Sequence, residues 1–82
     1  MEQSQQQKIK SIVDMHLSIE EHEYMREEVE TLLAHSTLAQ AFKRAEEWLT
    51  LRKYYGHRSL VWGEIVHDLK QALEQHNGLV EK

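Results

Sequence analysis

Two short stretches hold the residue types from which a site could be built. The first is Arg52-Lys53-Tyr54-Tyr55-Gly56-His57-Arg58-Ser59, followed by Leu60-Val61-Trp62. Cations interleaved with aromatics, beside a helix start whose amides lack partners, suit an anion or an acidic peptide. Tyrosine, tryptophan and arginine are also the side chains most enriched in binding hot spots. Arg52, Lys53, Tyr54, His57, Arg58 and Trp62 are therefore the expected partner-binding residues. A competing reading makes Tyr55 and Trp62 the end of a helical core and leaves Arg52 and Lys53 to neutralise carbonyls at a helix C-terminus. Tyr54 and Tyr55 point about 100° apart on a helix, so at least one of them must leave the apolar stripe.

The second stretch is Glu64-Ile65-Val66-His67. Residues i and i+3 share a helix face, and Glu-x-x-His is the spacing that carboxylate metal sites in helical bundles use. A complete site of that kind needs two such motifs and two further glutamates. This chain has one copy, so a ferritin-like metal site requires two chains, with Glu27 or Glu28 as an added ligand. The bland alternative is a surface pair flanking an apolar stripe. No metal and no cofactor is expected.

Charge is segregated along the chain. Glu20 to Glu30 contains six glutamates and one arginine, whereas Lys43 to Arg58 contains five of the ten Lys and Arg residues plus His57. The acidic and basic segments either face each other, within one chain or across a dimer, or leave one face free for a partner of opposite charge. Glu20, Glu23, Glu27 and Glu30 form the second candidate contact face. Nucleophilic or acid–base catalysis has little to build on: the chain lacks cysteine, a glycine-rich phosphate loop and a His-x-x-x-His pair. His16 and His22 lie on or beside apolar stripes, and His35 and His76 sit at helix ends. The protein is expected not to be an enzyme.

Composition bounds what can position these residues. Eighty-two residues with 40% hydrophobic and 29% charged content make one globular domain, whose folded form buries only about 60% of its unfolded surface. That thin core has no disulfide to reinforce it, so self-association is expected. Net charge is −4 with histidines neutral, which gives no electrostatic case for nucleic acid or an anionic membrane. Exposed histidines near the usual pKa of about 6.5 reverse that sign in mild acid. No run approaches the roughly 18 apolar residues of a membrane span, and the polar start does not resemble a signal peptide. The expected compartment is the cytoplasm.

The elements follow from spacing. Residues 1–7 are polar and glutamine-rich and read as a frayed lead-in. Ile9, Ile12, Val13, His16 and Leu17 place a first helix from Lys8. Ser18-Ile19-Glu20-Glu21 has the form of a capping box, which starts a second helix there. The alternative is one helix running through Ser18. The next stripe is Ile19, His22, Met25, Val29, Leu32 and Leu33. Ser36 or Thr37 caps a long helix over 37–55, with Leu38, Ala41, Phe42, Ala45, Trp48, Leu49, Arg52 and Tyr55 on one face. Gly56 is suited to a left-handed C-terminal residue, and Ser59 to capping a last helix over 60–76. That helix carries Val61, Trp62, Ile65, Val66, Leu69, Ala72 and Leu73 and ends at Asn77-Gly78, leaving 79–82 as a tail. Two apolar stripes joined by a short break must close as an antiparallel hairpin. The expected architecture is all-α: a bundle of three or four helices around that hairpin, within a domain over 8–78.

A helix-turn-helix reading puts the last helix in a DNA groove, where Glu64, Asp68 and Glu74 face phosphates and only Lys70 and His67 help. Nucleic acid is therefore disfavoured. The reading that remains is a non-catalytic adaptor, inhibitor or regulator that binds another protein through a helical face, itself a homodimer. Its rivals are the metal-binding oligomer and the nucleic-acid-binding regulator.

Overall fold

A computed structural model describes residues 4–51 and 55–81, with side chains described through Asn77. The fold is all-α. Five helices occur among the described residues: α1 (Gln5–His16), α2 (Ile19–Tyr24), α3 (Arg26–Ala34), α4 (Leu38–Thr50) and α5 (His57–Glu81). They form a body of 40 × 24 × 17 Å. α5 supplies its long dimension, since 25 residues at about 1.5 Å each span roughly 37 Å.

The hairpin of α4 and α5 is the most extensive pairing. Leu38, Ala41, Ala45 and Trp48 meet Val61, Trp62, Ile65, Val66 and Leu69, all buried. The small Ala41 and Ala45 let the helices approach closely, and Trp62 fills the space opposite them. Its indole Nε1 donates to the Ala45 carbonyl at 3.0 Å, so the one polar atom of a fully buried ring is satisfied. The Trp48 and Trp62 rings pack tilted, with centroids 5.6 Å apart. α1 lies along the same core through Ile9, Ile12 and Val13, and α3 adds Val29 and Leu32.

Local caps account for the helix starts. Ser18 forms the expected capping box with Glu21, so α1 and α2 are separate helices. Thr37 caps α4, accepting from the Gln40 amide at 3.3 Å. The first helix begins at Gln5 rather than Lys8, because Ser4 makes a second capping box with Gln7. The glutamines of this turn are also used in tertiary contacts. Gln5 Oε1 accepts from the Leu38 amide at 2.9 Å, and Gln6 Nε2 donates to the Leu33 carbonyl at 3.2 Å. One of the unpaired amides at the start of α4 is thereby satisfied.

Other boundaries depart from the sequence pattern. The helix expected to run from Ile19 through Leu33 bends at Met25, whose φ of −106° and ψ of 26° separate α2 from α3. Met25 is fully buried there, whereas Ile19 is 84% exposed and lies off the core. α4 stops at Thr50 and not at residue 55, and Tyr55 is 79% exposed instead of closing the stripe. Gly56 has the left-handed φ of 59°, but it precedes α5: its carbonyl accepts from the Ser59 and Leu60 amides. Ser59 is thus inside the first turn and is not its cap. α5 also continues through Asn77 and Gly78 to Glu81. Glycine costs about 1 kcal/mol of helix propensity but removes no donor, so the ladder survives it.

Candidate functional site

α4 runs antiparallel to α5, with Ala45 near Trp62, so the C-terminal end of α4 lies at the same pole as the start of α5. α1 ends farther down the bundle, where His16 meets Glu64 and Asp68 two to three turns along α5. α2 joins that pole through Tyr24, where the Arg58 guanidinium stacks 3.4 Å from the ring centroid. Tyr24, Leu51, Tyr55 and Leu60, exposed by 67 to 79%, lie toward this pole; Met15 and Ile19 are also exposed, Met15 beside His16 farther down the bundle. Leu51 and Leu60 fall outside every apolar stripe in the sequence. That misfit is the signal by which the pole could have been found.

The six residues expected from sequence divide three ways. Arg52, Lys53 and Tyr54 lie outside the described residues. His57 is exposed and Arg58 half-buried, both in the first turn of α5. Trp62 is wholly buried, so it is a core residue and not a surface contact. The hairpin closes over it because its indole fits against Ala45.

Charge at the pole is arranged in both signs. Exposed Glu20 and Glu23 lie on α2, and Glu27 and Glu30 continue the acidic face along α3. Between the acidic and basic sides sits Glu21. Its Oε1 accepts from the Ser18 amide at 3.1 Å. That bond and the Ser18 hydroxyl hold its carboxyl below the usual range, with His57 and Arg58 adding to the effect. Part of the acidic segment thus faces the basic one within the chain.

Below the pole, a clasp joins α1 to α5. His16 is inserted between two carboxylates one turn apart: Nε2 lies 2.5 Å from Asp68 Oδ2, and Nδ1 lies 3.4 Å from Glu64 Oε2. Asp14 and His22 pair at 3.3 Å across the α1–α2 corner. The hydrogen bond with His16 holds the Asp68 carboxyl below the ordinary aspartate range, against its partial burial, and His67 contributes further. A carboxylate with a depressed folded-state pKa stabilises the fold above its unfolded value, and that stability is lost as pH falls through the folded value. The window lies below about pH 4. Asp68→Asn is expected to cost about 1 kcal/mol at neutral pH, since a half-exposed pair is screened by water. Urea unfolding of the two proteins should converge as pH falls below about 4; curves that stay parallel would contradict this role.

The Glu64-x-x-His67 spacing does not make a shared site. Glu64 turns toward His16, while His67 Nδ1 lies 3.4 Å from Asp68 Oδ1. Among the described residues, no three His, Asp or Glu side chains are grouped to hold a metal ion. A depression of about 340 Å³ between α3 and α4 is lined by Thr31, His35, Gln40, Lys43, Arg44 and Glu47. Its one hydroxyl is committed to its own helix, since Thr31 Oγ1 donates to the Glu27 carbonyl at 2.7 Å. Arg44 is drawn to Glu47 at 3.7 Å and to the Trp48 ring at 5.2 Å. Among the described residues, no helix is long and apolar enough to cross a membrane.

Comparisons with protein-family models, with curated proteins and with solved structures find no match.

Proposed function

We propose that this chain is a non-catalytic protein-binding module, an adaptor, inhibitor or regulator, that docks through the apolar pole of its bundle. The observation that supports this most strongly is the exposure of Tyr24, Leu51, Tyr55 and Leu60 toward the start of α5. Single exposed apolar residues need no explanation, but a group of them at one end does. Tyr24, Tyr55 and Arg58 supply the side chains that most often anchor such contacts.

A photo-crosslinking amino acid placed at position 51 or 60, in an extract of the native cells, tests the reading. Both positions are expected to yield one defined adduct, identified by mass spectrometry, while the same probe at exposed Gln75 toward the far end of α5 yields none. Equal labelling from all three positions, or none from the pole, would refute docking at this surface.

A further inference from the structure

We infer that α2 is a releasable strap over the basic start of α5, and that the partner which releases it is an acidic segment carrying an aromatic residue; this rests on the docking reading above and names its partner and its control. α2 is fastened at its ends and not along its length. Leu17, before it, and Met25, after it, are 6 and 0% exposed, whereas none of its own six residues is buried. A helix this short has little stability by itself, since isolated helices below about 12–15 residues are marginal in water. Both flanking joints also leave the helical conformation: Leu17 has φ −107° and ψ 131°, and Met25 has φ −106° and ψ 26°. α2 therefore opens about two joints while buried Leu17 and Met25 keep α1 and α3 in the core.

What holds α2 down is polar. Tyr24 receives the Arg58 guanidinium 3.4 Å from its ring centroid, and His22 pairs with Asp14 at 3.3 Å, the two side chains being 31 and 51% exposed. Glu21 faces His57 and Arg58. Its Oε1 is taken by the Ser18 amide, however, and its Oε2 is shielded from solvent yet accepts no hydrogen bond. A shielded acceptor without a donor is unfavourable, so a carboxylate that arrives from outside and bonds Arg58 or His57 directly replaces α2 at a gain. α2 itself shows which chemistry fits. Glu21 and Tyr24 are three residues apart on one helix face, and they offer the Arg58 side a negative charge and a ring. A second acidic–aromatic segment competes for the same cation.

Hydrogen exchange on the full chain, read by NMR at two amides, tests the strap. The His22 amide bonds the Ser18 carbonyl within α2, and the Val29 amide bonds the Met25 carbonyl in α3, each at 2.9 Å. Protection of His22 is expected to be at least about tenfold below that of Val29, because α2 opens without global unfolding. Tyr24→Ala and Arg58→Ala each remove the cation–π contact and should lower His22 protection by a further factor of about 2 to 5, with Val29 unchanged. His22 protected as well as Val29, or unmoved by both substitutions, overturns the strap.

A peptide repeating residues 18–25 of this chain is the probe for the partner chemistry. It should bind the Tyr24→Ala chain about 2- to 5-fold more tightly than wild type, because the competing strap is weakened, and adding Arg58→Ala should undo that gain. Equal binding to all three chains overturns the acidic–aromatic partner. So does the absence of binding to Tyr24→Ala at about 5 mM peptide, the scale of a tethered segment's effective concentration. The docking reading is judged apart, by the crosslinks from positions 51 and 60. A defined adduct there with α2 fixed in place leaves that reading standing and sinks this one.

Discussion

Trp62→Ala is expected to leave little folded protein at 25 °C. Removing a fully buried tryptophan costs about 3–5 kcal/mol when the cavity does not collapse, and Trp62 is 0% exposed, packed between α4 and α5. A single core in a domain this small supplies only about 3–5 kcal/mol of net stability. The substitution therefore consumes most or all of it. Trp62→Phe separates the two contributions of the ring. It keeps most of the packing against Trp48 and Ala45 but loses the Nε1 donation to the Ala45 carbonyl, a net effect of about 1 kcal/mol for the hydrogen bond plus the lost ring volume. Thermal melts followed by circular dichroism should show the Trp62→Phe protein folding with a midpoint lowered by about 4–8 °C per kcal/mol. The Trp62→Ala protein should lack a cooperative transition. A midpoint within a few degrees of wild type for Trp62→Ala would mean that the hairpin is not the centre of the fold.

The hairpin could be read from the chain because burial imposes a period. Leu38, Ala41, Ala45 and Trp48, and likewise Val61, Trp62, Ile65 and Leu69, recur at the three- and four-residue spacing that keeps one helix face dry. The same physics made Trp62 ambiguous as a contact, since composition alone gives an indole equal reason to anchor a core or an interface. What separates the two is the Ala45 carbonyl opposite it, which only the packed hairpin places there. The pole was harder to read for a related reason. Leu51 and Leu60 are ordinary singly, and they come to one end only when antiparallel packing brings the end of α4 to the start of α5. The clasp of His16 on Glu64 and Asp68 was likewise hidden, because it joins residues separated by 48 and 52 positions. Asp68 looked like an obstacle to DNA binding on a bare helix, whereas in the fold it is a hydrogen-bond partner for His16. Helix ends were read least well where no side chain marks them. Ser18 and Thr37 announce themselves by capping, but the bend at Met25 has no side-chain cap.

That bend sets up the second large effect. Met25 and Ile19 stood on one expected stripe, yet on an ideal helix six residues turn Ile19 about 120° away from Met25. Met25, Val29 and Leu32 stay within about 40° of one another's mean direction, and all three are buried. Met25→Ala is therefore expected to cost about 2–5 kcal/mol, which lowers the melting midpoint by more than about 10 °C at about 4–8 °C per kcal/mol. Ile19→Ala, at a site 84% exposed, should change the stability of the lone chain by no more than about 0.5 kcal/mol. Thermal melts then distinguish core from surface: Ile19→Ala should melt within about 4 °C of wild type, and an Ile19→Ala protein destabilised as much as Met25→Ala would place Ile19 in the core after all.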